Sequence, residues 1–404
     1  MQPLRIAARL AVVLIVILVP GSSWAQDTVT PSDRVISFVQ VRSAASADSA
    51  AIAHVDIGDS LPLVGSVPRW YQVRLPDGRT GFVNKSWTVV SAALAARQTD
   101  ELRIHFLNIG AGSCAIVECP GSSAPPLIVD CGSTGATAND MDATQTRDYI
   151  RKVLSSHTAA PNVVLSHADV DHYGHIANTL NAMTVASVWQ GGDVNEYTSN
   201  GFPAWLSDQM TRGATLHRNF TPHFHNDGTT ISDQLSCGDA STFVLTVNTG
   251  SSRNAQSLVL MIEYQDFTAV FTGDAEGETE ARAITNFADN VKATVMTSSH
   301  HGASTHASNS QSWATSTSPD VLVSSAGNKF FHPRCDATNR FNTLATTREH
   351  TVRCGNSSAY TSSRTTRAHY VTEVNGAVIV TSNGRSPLSV HCTRSSECGV
   401  KISH

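Results

Sequence analysis

Between residues 166 and 175 the chain reads Ser166-His167-Ala168-Asp169-Val170-Asp171-His172-Tyr173-Gly174-His175, directly after the apolar run Val163-Val164-Leu165. Imidazoles and carboxylates this close together, at the end of a short buried strand, fan out from the following loop and can converge on one point. A divalent cation needs several nitrogen or oxygen donors at about 2.0–2.2 Å, and a strand-to-helix turn can aim several of them from a single segment. The plain alternative is a polar loop that caps a helix, where Asp and Ser are ordinary. The spacing favours the metal.

The order H-x-D-x-D-H is similar to the H-x-H-x-D-H loop of the metallo-β-lactamase superfamily. With Asp169 at the second ligand position it resembles the hydrolase domain of ComEC-type competence proteins. Later segments follow in that family's order. Gly110-Ala111-Gly112-Ser113 resembles its G-Q-G-D turn without the acid, and Asp130-Cys131-Gly132 is similar to its D-x-G. Asn254 to Leu260 resembles its N-x-x-S-L-V-L, and Thr272-Gly273-Asp274 stands where the family has its metal-bridging carboxylate. Ser299-His300-His301-Gly302-Ala303-Ser304 resembles H-H-G-S, and Asn328 with His332-Pro333 is similar to the late N and H-P. The resemblance runs from about Leu102 to Gly384.

It implies an α/β fold, the αββα metallo-β-lactamase sandwich, and two divalent metal ions, zinc or manganese with magnesium as a third choice. By the same resemblance His167 and Asp169, with Asp274 shared, hold the first ion, while Asp171, His172, Asp274 and His300 hold the second. His301 then faces the substrate or supports the ligands, although His300 and His301 can be exchanged, and His332 points to the same rim. Asp171, His301 and His332 are the candidate catalytic residues. The third histidine that the superfamily often supplies to its first metal is replaced by Asn254, by Ser257 or by nothing. Asp169 in place of a histidine makes the donor set richer in oxygen, which shifts preference toward manganese or magnesium.

The elements that must position these residues begin after the N-terminus. Arg5, Arg9, the apolar run Leu10 to Val19 and Gly21-Ser22-Ser23-Trp24-Ala25 read as a signal peptide over 1–25, with an apolar core too short to span a membrane, and no later stretch reaches membrane length. Its removal takes away Arg5 and Arg9, so the net charge moves from −5 to about −7, which argues against a standing nucleic-acid binder. Eight cysteines in an exported chain argue for disulfides. Cys392 with Cys398 and Cys335 with Cys354 are the expected pairs, and Cys114 would oppose Cys131 if the segment between them is a hairpin.

After a polar leader at 27–33, short alternating runs over 33–91 are broken by turn signals and predict a small all-β barrel. Val41-Arg42, Gly58-Asp59, Trp70-Tyr71-Gln72-Val73 and Asp77-Gly78 followed by Gly81-Phe82-Val83 resemble a bacterial SH3-like domain, which implies contact with cell-wall peptides or with a catalytic neighbour. Trp70, Tyr71 and Trp87 line a groove or fill the core. An Ala-rich linker is expected at 92–100, the larger domain at 101–390 and a tail at 391–404. In the larger domain helices are expected at 146–155 and 176–183, and a closing hairpin at 369–380. His217, His223 and His225 lack ligand spacing and read as surface residues.

The expectation is an exported hydrolase that uses a metal-activated water, with a phosphodiester favoured as substrate and a phosphodiesterase or nuclease type of activity. The alternatives are an ester, lactone or amide hydrolase at the cell envelope, which the acidic charge favours, or an inactive wall-binding protein, which the G-A-G-S turn favours. No pattern in the chain specifies an oligomer.

Overall fold

The structure, a computed structural model, describes residues 28–403 apart from 33–34, 36, 58, 68, 92–99 and 396–397. The signal peptide expected at 1–25 and nearly all of the linker expected at 92–100 lie outside the described residues.

Seven strands between Thr28 and Ser91 form one antiparallel sheet that closes over Val39, Val41, Val55, Val73 and Val83. Trp70 is buried in it, Tyr71 is half-buried and Trp87 is exposed. Thr28–Pro31 is not a leader but a strand, paired with Leu61–Val67 and Thr88–Ser91. Its one inward apolar residue, Val29, is too short an alternation to read in advance, and its partners are remote in sequence.

The larger domain has two large sheets and a two-stranded one, His350–Gly355 with Tyr360–Thr365. The first has nine strands, in spatial order Thr215–His217, Ser187–Gln190, Asn162–Leu165, Leu127–Ser133, Gly112–Glu118, Leu102–Phe106, Val378–Ser382, Leu388–Cys392 and Val400–Ile402. The second has six: Ser241–Thr246, Val259–Tyr264, Phe267–Phe271, Val295–Thr297, Val321–Ser324 and Ala368–Val371. Alternate residues of each strand face opposite ways, and both faces are apolar. Val117, Val129 and Val164 meet Leu260, Phe271 and Val323 between the sheets. Ile116, Ile128 and Val163 pack outward on Ile150 and Val153 of the helix Ala143–Leu154. On the other side Met261, Val270 and Met296 pack on Ala283 and Phe287 of the helix Gly277–Phe287 and on Trp313. Layers of helix, sheet, sheet and helix follow from this burial on both faces of both sheets.

The segment expected as a closing hairpin instead crosses between the sheets. Ala368–Val371 lies parallel to Val321–Ser324 in the second sheet, whereas Val378–Ser382 pairs with Leu102–Phe106 in the first. The helical turn Thr372–Asn375 and Gly376, at φ +74°, make the crossing. Two short buried strands joined by a turn signal look alike in sequence whether or not they pair. The expected tail supplies Val400–Ile402 to the edge of the first sheet, so that sheet runs beyond residue 390. The helix expected over 176–183 is shorter, Ile176–Thr179, and is preceded by another turn, Val170–Tyr173.

All eight cysteines are paired: Cys114–Cys131, Cys335–Cys354, Cys392–Cys398 and, beyond the expected pairs, Cys119–Cys237. Among the described residues no helix is long and apolar enough to cross a membrane.

Candidate metal centre

Four strand ends build the site. The strand Asn162–Leu165 delivers His167, Asp169, Asp171 and His172, and Phe267–Phe271 delivers Asp274. Val295–Thr297 delivers His300 and His301, while the loop after Val321–Ser324 carries His332 to the rim. Glycines permit the close approach: a Cβ on Gly273, at φ +52°, would lie 2.5 Å from Cβ of Ser166. His300 and His301 both occupy the left-handed region, at φ +50° and +56°, where side-chain-bearing residues are rare and cluster at functional sites.

Asp274 is at the centre. Its Oδ1 lies 3.0 Å from Nε2 of His172 and 3.4 Å from Nε2 of His301, and its Oδ2 lies 3.6 Å from Nε2 of His300 and 4.0 Å from Nε2 of His167. Asp171 approaches His301 at 3.5 Å, and Asp169 approaches His167 at 3.6 Å. The two metal-compatible groups are His167 with His172 and Asp274, and Asp171 with His172 and His301. In the second of these the imidazole beside Asp171 and His172 is that of His301, between two histidines that the resemblance left exchangeable; the left-handed turn decides which ring reaches which oxygen.

The outer nitrogens fix the inner ones. Nδ1 of His172 donates to Asp130 at 2.8 Å, and Nδ1 of His301 donates to the Ser325 carbonyl at 2.8 Å. Nδ1 of His167 lies 3.0 Å from the Ser166 hydroxyl, which itself donates to Asp130. With each Nδ1–H committed outward, the Nε2 lone pairs face inward, which is the tautomer a metal takes. Asp130 sits at φ +54° beside the bulge at Val129/Cys131 and also accepts the Ser166 N–H at 2.7 Å.

The donors fit divalent cations. Nε2 of His167 and Oδ1 of Asp274 are buried without a hydrogen-bond partner, an expensive state for groups of this kind. Nε2 of His172 and Nε2 of His301 stand 3.2 Å apart, so a cation or a proton must keep them together. Burial opposes charge on both imidazoles, yet the carboxylates of Asp274 and Asp130 raise His172 well above its ordinary value, and Asp274 and Asp171 raise His301. Burial also opposes ionisation of Asp274, but His301, His172 and His300 hold it well below the usual carboxylate range. Asp169 is lowered to about 2, chiefly by its hydrogen bond with His167 and also by Arg253.

His332 stands apart: its ring centroid is 6.1 Å from that of His300 and 6.5 Å from that of His301, and burial beside those rings pushes it down to about 3. Together with Ala111, Asp171, His301 and Phe330 it lines a narrow cleft at the rim. Asn254 points its amide nitrogen at the His300 ring, 3.4 Å from Nε2. The Ser257 hydroxyl lies between His167 and the Asp274 backbone.

Sequence reasoning missed Arg253, whose guanidinium bonds Asp169 at 2.6 Å and Glu196 at 2.8 Å. No local pattern marks it. It also left Asp130 and Ser166 without roles, although the D-x-G segment held the signal for Asp130. His217 stacks on Trp189, away from the centre, with ring centroids 4.1 Å apart.

Residues 37–89 match the family model for the bacterial SH3 domain. The chain is 26% identical to ComE operon protein 3 of Bacillus subtilis over 247 residues, which cover 58% of this chain and 30% of that protein. The chain thus spans less than a third of that relative's length. Among solved structures it is similar to the metallo-β-lactamase fold protein YhfI of Bacillus subtilis, at 12% identity and a TM-score of 0.39 over 70% of this chain and 100% of that one. It is also similar to Igni18, a metallo hydrolase of the archaeon Ignicoccus hospitalis, at 14% identity and a TM-score of 0.34 over 60% and 89%. The chain thus joins an N-terminal segment that matches the bacterial SH3 domain model to a larger domain of two facing sheets between helices, which carries the candidate metal centre and is similar over part of its length to ComE operon protein 3.

Proposed function

We propose that this protein is an exported metal-dependent hydrolase whose substrate is a phosphodiester. The observation that carries the reading is Asp274, which offers one oxygen to His172 and His301 and the other to His167 and His300. Asp171, His172, His301 and Asp274 would hold one cation, and His167, Asp169 and Asp274 another. When bound, such cations supply Lewis acidity and a water of lowered pKa.

The chain's own residues do the rest. Asp130, Ser166 and Ser325 lock the imidazole tautomers. Three carboxylates make the set rich in oxygen, which suits manganese or magnesium as well as zinc, and suits phosphoryl chemistry. His332, kept neutral by burial at the rim, would hydrogen-bond a leaving oxygen, and Arg253 places positive charge beside Asp169.

Two further features bear on setting. Complete pairing of the cysteines supports export, because such bonds persist in oxidising compartments. A cavity of about 520 Å³ on the SH3 domain, lined by Phe38, Trp70 and Trp87 among others, supports contact with cell-wall peptides. The net charge of −5 favours a second reading, an ester, lactone or amide at the envelope, because a polyanion would be repelled away from the cations.

The test is elemental analysis of the purified protein, followed by a panel of a phosphodiester, a carboxylic ester, a lactone and an amide before and after chelation. Phosphodiester turnover lost on chelation and restored by manganese or zinc is expected. Turnover of another bond alone moves the assignment to the second reading, and no metal with no turnover leaves an inactive wall-binding protein.

A further inference from the structure

The two oxygens of Asp274 divide four imidazoles into two pairs, and each pair has a carboxylate of its own. On the Oδ1 side stand His172, His301 and Asp171; on the Oδ2 side stand His167, His300 and Asp169. The two halves therefore present the same chemistry: two imidazoles, one private carboxylate and one oxygen of the shared carboxylate. We propose that His300 is the fourth donor of the cation subsite formed by His167, Asp169 and Oδ2 of Asp274, so that two adjacent histidines of one turn serve two different cations.

Three observations carry this. The first is the backbone. His300 and His301 are consecutive residues in the left-handed region, and their rings diverge, with centroids 6.3 Å apart and planes at 67°. Consecutive residues of an extended strand would point to opposite faces of the sheet; this turn instead brings both rings to one carboxylate from different sides. The conformation is pinned by the His300 N–H on the Gly273 carbonyl at 3.1 Å and by the Ala303 N–H on the His300 carbonyl at 2.8 Å. Gly273 adjoins Asp274, so the turn and the carboxylate it straddles are tied together.

The second is the donor count. His172 is within metal reach of both groups; with it assigned to the Oδ1 half, the Oδ2 half without His300 has three donors, His167, Asp169 and Asp274, and a closed site for zinc or a first-row cation wants at least four from protein and water. The segment that resemblance would look to for another histidine, Asn254 to Ser257, has none: the Ser257 hydroxyl is already used between His167 and the Asp274 N–H, and Asn254 points its amide at the His300 ring. The Asn254 amide nitrogen is nearly equidistant from the two ring nitrogens of His300, so it rests against that ring rather than supplying a donor of its own to the cation.

The third is the difference in anchoring. The Nδ1 of His301 is held by a backbone carbonyl, which fixes that ring within its half. The His300 ring instead meets Oδ2 of Asp274 at 3.6 Å, the Asn254 amide at 3.4–3.5 Å and the His332 ring at 6.1 Å between centroids, and its side chain is 19% exposed. A ring so placed can rotate the short distance needed to close on Oδ2 and His167 without disturbing the core.

The inference rests on the metal-centre reading above and not on the substrate. The test is titration of the metal-free full chain with manganese and with zinc, read by calorimetry and by elemental analysis after gel filtration. Wild type is expected to bind two ions per chain. His300→Ala is expected to keep one ion at wild-type affinity and to lose the other by more than the 10–100-fold that removal of an outer hydrogen-bond partner costs. His300→Asp, which returns an oxygen donor, is expected to regain the second ion at reduced affinity, which a merely structural role would not produce. His301→Ala is expected to lose the ion of the opposite half, so that the double alanine variant binds neither tightly. Melting curves of the metal-free variants check that the fold persists. Two ions bound by His300→Ala at wild-type affinity, with only the substrate KM raised, would overturn the proposal, and so would a wild type that binds a single ion. Two-ion binding that depends on His300, without turnover of a phosphodiester, would sink the functional reading and leave this one standing.

Discussion

The Ser257 hydroxyl accepts the backbone N–H of Asp274 at 3.0 Å and lies 3.3 Å from Nδ1 of His167. One buried side chain thus holds the backbone of Asp274 and touches the outer nitrogen of an imidazole in the other sheet's loop. Ser257→Ala leaves a buried N–H without its partner, which costs about 1–3 kcal/mol of stability. It also loosens His167 and Asp274, so affinity for the proposed metal should fall by about 10–100-fold. Denaturant unfolding of the metal-free protein and metal titration measure the two effects separately, and a variant within twofold of wild type in metal affinity would show that the hydroxyl orients nothing.

Asp130 gathers the Ser166 N–H, the Ser166 hydroxyl and Nδ1 of His172, all within 2.8 Å. Its φ of +54° makes alanine an ambiguous probe there, but asparagine tolerates the left-handed region. Asp130→Asn therefore tests charge and hydrogen bonding with the bulge intact. The amide cannot accept from both Ser166 and His172 on every edge, so the His172 tautomer is no longer fixed. Metal affinity or turnover should drop by about 10–100-fold, with the substrate KM little changed because Asp130 is buried below the ligands. A rise in KM alone would place Asp130 in substrate binding instead.

The parts of the centre that could be read from the chain share one feature: each lies at the end of an apolar strand, beside a glycine or within a run of ligand-type residues. His167 to His172, Asp274 and the His300-His301 pair all meet that description. What could not be read depends on contacts across the fold. Which tandem histidine faces Asp171 is decided by two left-handed residues, and no sequence signal marks a left-handed histidine. Arg253 reaches Asp169 across 84 residues. The partner of Val378–Ser382 lies in the opposite sheet from that of Ala368–Val371, although six residues separate the two strands. Burial patterns specify which faces are apolar, and they leave open which apolar faces meet.

The disulfides offer a quantitative contrast. Cys119–Cys237 closes 118 residues and Cys392–Cys398 closes 6. In the chain-entropy account the longer loop contributes about 5 kcal/mol and the shorter about 2 kcal/mol. Replacing both members of a pair by serine should therefore destabilise the protein more for Cys119 and Cys237 than for Cys392 and Cys398. Chemical unfolding of the two double variants checks the order, and equal losses would mean that strain or residual structure in the unfolded chain outweighs loop closure.

Glu118 lies at the far end of the strand Gly112–Glu118 from the metal centre, buried among cations and imidazoles. It takes Nε2–H of His105 at 2.9 Å and of His157 at 3.1 Å, with the Arg103 guanidinium at 3.4 Å. Because His105 donates from Nε2, its Nδ1 accepts from the Tyr149 hydroxyl at 2.9 Å. Burial pushes Glu118 upward, but the two histidine hydrogen bonds and the charge of Arg103 outweigh it and hold the group well below the usual carboxylate range. Burial lowers His105 as well, against the pull of Glu118. Both shifts have the same consequence. A depressed carboxyl contributes stability above its unfolded value of 4.5, and that contribution is lost as pH falls toward the folded value. A depressed imidazole adds to this, because below 6.5 the unfolded chain takes up the proton first. The contribution of this pair should therefore begin to fall below pH 6.5 and fall more steeply below 4.5, while His172 and His301, which are raised, contribute in the opposite sense. Glu118→Gln should cost about 3 kcal/mol at neutral pH, since it breaks a buried charged network, and the gap from wild type should narrow as the pH is lowered through 4.5. Metal stoichiometry should be unchanged. Unfolding free energies of both proteins between pH 3 and 8, taken as a difference at each pH so that other groups cancel, decide the matter: a gap that stays constant below 4.5 would mean that Glu118 is not the group whose protonation weakens the fold.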